Sequence, residues 1–261
     1  MTKIKNWLLL MAVLIITEVN GRPTKMILTD TTRITEVSQE LLMAAKLEEA
    51  TDSLTEILKN LPVTSLGQLS TDSEKKAFWI NIYNAFTQIL LSKDANKYQK
   101  RNSFFGNKQI TIAQTKLSLD DIEHGILRHS KIKWSLGYFD KIFPGKFERE
   151  NRVKKVDYRI HFSLNCGAKS CPPVAFYRAE GLEKQLDQAT KSYLKGESNY
   201  NKENNIIYLP AIMGWFRRDF GGKKKMIALL RIIGIIPQDQ KPTIHFKKYD
   251  WDLFLKNYQT T

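Results

Sequence analysis

The segment TDSEKKAFWINIYNAFTQILLS, residues 71–92, predicts a long apolar helix. It starts with the capping box Thr-Asp-Ser-Glu, in which Thr71 and Glu74 close the first helical turn. Large apolar side chains follow on one face, at steps of three and four residues: Trp79, Ile82, Tyr83, Phe86 and Leu90. A polar line runs beside that face: Asn81, Asn84 and Gln88. We expect so apolar a helix to be buried nearly all round, with hydrogen-bond partners for its amides.

Around this helix, the hydrophobic pattern predicts further helices and about four short strands. Helices are expected at 33–61, 119–130, 181–194, 211–222 and 223–233. Strands are expected at 108–114, 158–165, 204–210 and within 242–253. The strands do not alternate strictly with the helices, and no linker divides the chain. The sequence therefore predicts an α+β fold, a mostly helical single domain around a small sheet.

The first residues of the chain have the pattern of a cleaved secretory signal. Two lysines precede an apolar run at 7–16, and a small-residue cleavage pattern follows. The run is shorter than the ~18 apolar residues of a membrane span, so no permanent span is expected after cleavage. Export would make the protein periplasmic or extracellular. The expected division is a signal peptide at 1–21, an N-terminal helical segment packed on the domain at 22–70, and the core at 71–261.

The composition is strongly basic. The chain has 41 Lys or Arg and 27 Asp or Glu, a formal net charge of +14. Such a balance can indicate nucleic acid, anionic lipid or another acidic polymer such as an envelope ligand, or merely a well-solvated surface. The basic residues are spread along the chain, and no basic run carries the interleaved aromatic residues of a strand-binding groove. We therefore expect no nucleic-acid partner.

Both cysteines lie in one stretch, RIHFSLNCGAKSCPPVAF, residues 159–176. An oxidising compartment would favour a Cys166–Cys171 disulfide that pins the turn between them. Alternatively, Cys166 is a nucleophile, because the end of a strand followed by a glycine turn exposes a side chain and lets backbone amides face an oxyanion. A metal site is not expected, since the two cysteines lack the tight paired spacing of structural zinc. The chain also has no Gly-rich phosphate loop, so no cofactor is predicted.

A cysteine nucleophile needs a base and a group that orients the base. If 158–165 is a strand, His161 lies on the face opposite the apolar one, whereas Cys166 shares the apolar face. His124 is therefore the preferred base, with Glu123 or Asp121 to orient it. The alternative is that these acids merely favour a helix start and that His124 is a hydrogen-bonded core residue.

Four further polar residues are predicted to bind a substrate: Asn84, Asn81, His161 and Arg128. Amides in an aromatic setting can hold a substrate backbone, although they can equally bond to neighbouring loops. The segment WFRRDF, 215–220, has the same two readings: its arginines can pair with Asp219 or face solvent.

Five motifs in this order resemble the family called domain of unknown function 547, over 71–253: AFWINIYNAF, LSLDDIEHGILR, RIHFSLNCGAKSCPPV, WFRRDFGG and YDWDL. The resemblance implies a domain found in bacterial extracytoplasmic proteins and in eukaryotic chains, without an established activity. It also implies that the position of Cys166 is shared more widely than that of Cys171, which can be Ser in plant members. A disulfide would then not be the reason for the first cysteine.

Two functions stay open from the sequence. The first is a thiol-dependent acyl-transfer or peptide-hydrolysing enzyme of the papain or transglutaminase type, with Cys166, His124 and Glu123 as its catalytic residues. The second is a non-catalytic envelope binding module, in which a Cys166–Cys171 disulfide stabilises a ligand-facing turn. The partner would be a peptide in the first case and an acidic envelope ligand in the second.

Overall fold

The computed structural model describes residues 31–259, so the predicted signal segment at 1–21 lies outside the described residues. Within that range the α-helices are α1 Thr31–Leu47, α2 Asp52–Asn60, α3 Val63–Leu66, α4 Asp72–Lys93, α5 Arg101–Gly106, α6 Lys146–Asn151, α7 Leu182–Glu197, α8 Ala211–Trp215 and α9 Gly222–Ile233. Two 3₁₀ helices, Ala95–Lys100 and Tyr158–Phe162, and a π-helix, Asp121–Leu127, complete the helical elements of this range. None of these helices combines the length and apolar character needed to span a bilayer.

Helix α4 forms where the sequence predicts it and lies within the large hydrophobic core. The Thr71 hydroxyl accepts a hydrogen bond from the Glu74 amide at 3.2 Å, and the Glu74 carboxylate accepts one from the Thr71 amide at 2.8 Å. Almost every residue of α4 from 76 to 91 is buried, and α1 packs along it. The capping box and the all-round burial of this helix are thus confirmed.

The continuous helix expected at 33–61 is wrong, because it is two helices. Helix α1 ends at Leu47, where Glu48 adopts the left-handed conformation at φ 59°. Thr51 then precedes α2. A non-glycine residue at positive φ cannot continue a right-handed helix, so the chain turns at this point.

The strands form two small sheets in the described chain. Strands β1, Ile110–Ile112, and β2, Thr115–Leu117, form an antiparallel hairpin. Strands β3, Asn199–Asn201, β4, Ile206–Leu209, and β5, Thr243–Phe246, lie in the order β3-β4-β5, with β3 antiparallel and β5 parallel to β4. The α+β class is confirmed, with the strands divided between two sheets.

The strand expected at 158–165 is wrong, and its place is taken by the 3₁₀ helix Tyr158–Phe162. Asp157 caps this helix, since its carboxylate accepts from the Arg159 amide at 3.1 Å. The alternating apolar pattern has another cause. Ile160 packs into the large core around α4, whereas Phe162 packs into a second core around β4 and α9. A tight helix that lies between two cores can therefore imitate the period of a strand.

Candidate functional site

Hydrogen bonds from helix α4 hold the turn that carries Cys166. Asn84 donates from Nδ2 to the Ser163 carbonyl at 2.9 Å and accepts from the Asn165 amide at 2.8 Å. Asn165 in turn accepts from the Gly167 amide at 2.9 Å and donates to the Pro172 carbonyl at 2.8 Å. Because all of these groups are buried, each bond would be costly to break. The backbone on both sides of Cys166 is therefore held in one position.

Cys166 and Cys171 form a disulfide. The Tyr249 hydroxyl lies 3.2 Å from the sulfur of Cys166 and 3.1 Å from that of Cys171. The disulfide of the binding-module alternative is thus present in the structure. In this state Cys166 has no thiol, so nucleophilic chemistry requires prior reduction.

The disulfide lies in the wall of a cavity of about 430 Å³. The same cavity is lined by two histidines, His124 and His161, from two different segments of the chain. Residues of the large core, such as Leu164, and residues beside the second core, such as Phe216, contribute to it. The cavity therefore forms where the two cores meet.

His161 is paired with a buried carboxylate. Its Nε2 lies 2.9 Å from Oδ2 of Asp219, and its ring stacks on Phe216 with centroids 3.9 Å apart. Burial alone would raise the pKa of Asp219, but the hydrogen bonds from His161 and Arg128 outweigh it and lower the pKa to about 2. Asp219 is therefore an anion at neutral pH.

The contacts of His161 define which ring nitrogen is a base. An ionised Asp219 can only accept, so Nε2 of His161 carries the proton and donates it. Among the described residues, no side chain or amide bonds to Nδ1. Burial lowers the pKa of His161, although Asp219 opposes this effect. The ring is thus neutral at neutral pH, with the lone pair of Nδ1 unoccupied.

His124 differs, because its lone pair is already in use. Arg128 donates from Nη1 to Nδ1 of His124 at 2.9 Å, which leaves the proton on Nε2, 3.5 Å from the Asp120 carboxylate. Glu123 lies 3.8 Å from the same Nδ1 and accepts from the Tyr83 hydroxyl at 3.3 Å. Both nitrogens of His124 therefore face protein groups.

Arg128 connects the two histidines through hydrogen bonds. Its guanidinium donates from Nε to Asp219 at 2.7 Å, is fully buried, and lies over the Phe216 ring at 4.4 Å. One arginine thus contacts the carboxylate that orients His161 and the acceptor nitrogen of His124. The buried charge of Arg128 is offset by the buried charge of Asp219.

The structure brings some of the predicted site residues together and separates others. Cys166, His124, Glu123 and His161 line the cavity. Asn81 and Asn84 are buried and do not line it, and Asn81 bonds to the amide and the carbonyl of Tyr177. These contacts are to the backbone of the protein itself.

Sequence reasoning missed the role of Asp219. Its neighbours Arg217 and Arg218 are expected partners from the sequence, but both are exposed and Asp219 pairs instead with Arg128 and His161. The one available signal is that Asp219 is the single acid in the otherwise basic motif WFRRDFGG.

The mouth of the cavity carries aromatic rings and cations. Trp215 stacks on Trp251 with centroids 5.5 Å apart, and the Arg101 guanidinium lies 4.9 Å from the centre of the Trp251 ring. In the described chain no carboxylate pairs with Arg101, whereas Lys133 is paired with Asp120 at 2.8 Å. Among residues 31–259, no group of three or more His, Cys, Asp or Glu is placed to hold a metal ion.

The fold and cavity define an α+β domain with a cysteine pair and a histidine–carboxylate pair at one site. Residues 66–194 match the family model described as "Protein of unknown function, DUF547", so this part of the chain is similar to that family. We found no match to a curated protein or to a solved structure. The family match includes Cys166, His124 and His161, whereas Asp219 and Tyr249 lie beyond it.

Proposed function

We propose that the cavity is the active site of a thiol-dependent enzyme that transfers acyl groups or hydrolyses peptides, with Cys166 as the nucleophile. One observation carries this proposal: His161, with its free Nδ1 and its Asp219 partner, lines the same cavity as Cys166. A nucleophile, a base and a group that orients the base are the three parts that this chemistry requires. The base is His161, since Arg128 occupies the lone pair of His124.

The reaction begins when Nδ1 of His161 takes the proton of the Cys166 thiol and the thiolate attacks the carbonyl carbon of the acyl donor. A sulfur–carbon bond forms, the bond to the leaving amine or alcohol breaks, and His161 returns the proton to that group. Water or an acceptor amine then gives a proton to His161 and attacks the thioester, which restores the thiol. Asp219 holds the ring and stabilises the imidazolium throughout.

The proposed enzyme needs the disulfide to be reduced first. A dithiol supplies two electrons and two protons: it becomes a disulfide, and Cys166 and Cys171 become thiols. The Tyr249 hydroxyl, which contacts both sulfurs, can then donate to the Cys166 thiolate. The disulfide-bonded protein is the inactive form of this enzyme.

Acylation by p-nitrophenyl acetate tests the proposal. Cys171→Ser leaves Cys166 as a free thiol, and Cys166→Ser is the matched control that leaves Cys171. We expect a rapid burst of p-nitrophenol and an acetyl adduct on Cys166 in the first variant and neither in the second. Equal, slow acylation of both variants would contradict the proposal.

A second candidate function rests on the disulfide itself. An oxidised Cys166–Cys171 pair supports a non-catalytic binding module whose pinned turn faces a ligand. The aromatic mouth and the unpaired Arg101 guanidinium favour an acidic ligand for such a module. Its binding should weaken as salt is raised. A chain that acylates Cys166 rapidly after reduction would contradict this candidate.

We also propose that the protein is exported and acts outside the cytoplasm. The basic and apolar pattern of residues 1–21 supports this, and a disulfide is compatible with an oxidising compartment. Fractionation of the producing cells, followed by N-terminal sequencing, tests it. A cytoplasmic protein that retains its first residues would contradict the proposal.

A further inference from the structure

A single loop exposes an unusual number of large apolar side chains to solvent. We call residues 132–145 the aromatic loop. Six of its side chains are exposed by two fifths or more: Phe143 93%, Ile142 83%, Trp134 77%, Phe139 62%, Tyr138 52% and Leu136 42%. Soluble proteins rarely leave so many large apolar groups together without a partner. The aromatic loop therefore marks an interaction surface.

The aromatic loop is held in its position by backbone hydrogen bonds. The Ile132 amide donates to the Phe139 carbonyl at 3.0 Å, and Lys141 donates to Ser130 at 2.7 Å. The aromatic loop is also tied to the segment that carries Asp219, because the Arg218 amide donates to the Leu136 carbonyl at 3.0 Å. The apolar side chains are thus displayed by a fixed backbone.

Basic residues flank the aromatic loop along the chain. Between residues 131 and 155 there are eight Lys or Arg and three Asp or Glu, a net charge of +5. Lys146 and Lys154 are exposed. An anionic surface would gain from this charge, and the gain falls with added salt because exposed charges are screened.

We propose that the aromatic loop docks the protein on an anionic lipid bilayer. Trp and Tyr favour the interface between headgroups and hydrocarbon, where an apolar ring and a polar group are both satisfied. Exposures above four fifths for Ile142 and Phe143 mean that little protein covers these side chains, which leaves them free to insert between lipids. The positive flank supplies attraction to acidic headgroups.

The surface lies beside the cavity. Lys133 lines the cavity, and Trp134 follows it in the aromatic loop. The same face of the protein would therefore bring the site close to the bilayer. This inference goes beyond the proposed reaction and stands whether or not Cys166 is catalytic.

Cosedimentation of the full chain with vesicles tests the proposal. The vesicles are phosphatidylcholine alone or with roughly one third phosphatidylglycerol. We expect sedimentation with the anionic vesicles, and Ile142→Ser with Phe143→Ser should lower the partition coefficient roughly tenfold. Ile232→Ser, a matched control at an 82% exposed isoleucine on α9, should leave it unchanged. The wild type and both variants contain the apolar run at 7–16, so that run does not account for a difference between them.

Tryptophan fluorescence reports on the aromatic loop itself. We expect a blue shift when anionic vesicles are added, which Trp134→Phe removes. Equal sedimentation of the double variant and the Ile232→Ser control would overturn the proposal. The proposal would also be overturned if the protein did not sediment with vesicles and instead self-associated with rising concentration, or captured another protein, and if the double variant abolished that association. The aromatic loop would then be a protein interface.

Discussion

Nε2 of His161 lies 2.9 Å from Oδ2 of Asp219, although the two residues are 58 positions apart in the chain. This contact joins the 3₁₀ helix before Cys166 to the segment after α8. It fixes the proton on Nε2 and leaves Nδ1 as the basic nitrogen. The proposed enzyme depends on this one relationship.

Asp219→Asn should destabilise the protein, and the loss should depend on pH. The substitution leaves the buried Arg128 without its anion, so we expect the free energy of unfolding at pH 7 to fall by roughly 3 kcal/mol. The pKa of Asp219 is about 2 in the folded protein. The usual pKa of an Asp side chain is ~3.9. The contribution of the Asp219 anion to the free energy of unfolding is therefore complete above that pH and is lost as the pH falls through the folded pKa.

The difference in the free energy of unfolding between wild type and Asp219→Asn should therefore be smaller by about 1 kcal/mol at pH ~3 than at pH 7. Urea unfolding of both proteins at several pH values measures this. A difference that stays constant from neutral to acidic pH would mean that Asp219 is not an anion stabilised by its partners.

Reduction of the disulfide should leave the fold intact. The two cysteines are separated by only five positions, so the closed loop is small. In the loop-closure description, we expect reduction to lower the free energy of unfolding by about 2 kcal/mol. Urea unfolding with and without a dithiol measures the change, with Cys171→Ser as a variant that should match the reduced protein. Unfolding on reduction alone would show that the bridge is essential to the structure.

Gly137→Ala, a substitution in the aromatic loop, should destabilise the protein and displace Asp219 in the site. Gly137 has φ +85°, and an added Cβ there would collide with Oδ1 of Asp219. We expect a loss of roughly 3 kcal/mol from backbone strain and overpacking. Gly145→Ala in the same loop is the control, since its Cβ would meet nothing within 4 Å. Thermal unfolding compares them, and equal stability of the two variants would contradict the geometry.

Asn84→Ala should loosen the turn that carries Cys166. It removes the partners of the Ser163 carbonyl and the Asn165 amide, so we expect a loss of roughly 3 kcal/mol. Thr87→Val is the control on the same helix, because among the described residues the Thr87 hydroxyl bonds only to the Tyr83 carbonyl. Urea unfolding measures both. A larger effect of Thr87→Val would argue against the positioning role of Asn84.

The parts of the fold that local sequence determines could be predicted. The start of α4 follows from two residues three positions apart, and its burial follows from its apolar composition. The strand predicted at 158–165 is wrong, because an apolar period of two fits a strand and also fits a short helix between two cores. The end of α1 at Leu47 depends on the left-handed conformation of Glu48, for which the sequence carries no marker.

The candidate site could be predicted only in part. Cys166 and the histidines are recognisable by residue type, so the cavity does contain predicted residues. The pairing of His161 with Asp219 depends on how distant segments pack, and periodicity carries no information on that. The predicted strand at 158–165 also places His161 on the face away from Cys166, which is why the sequence favours His124 as the base.

The most direct measurement is the alkylation rate of Cys166 by iodoacetamide in the Cys171→Ser chain, followed by mass spectrometry from pH ~6 to ~9. The thiolate is the reactive species, so loss of the base that serves it should slow alkylation near neutral pH. We predict that His161→Gln lowers the rate roughly tenfold at neutral pH, whereas the matched His124→Gln changes it less than about threefold. An unchanged rate in His161→Gln, or a larger loss in His124→Gln, would contradict the assignment of His161 as the base.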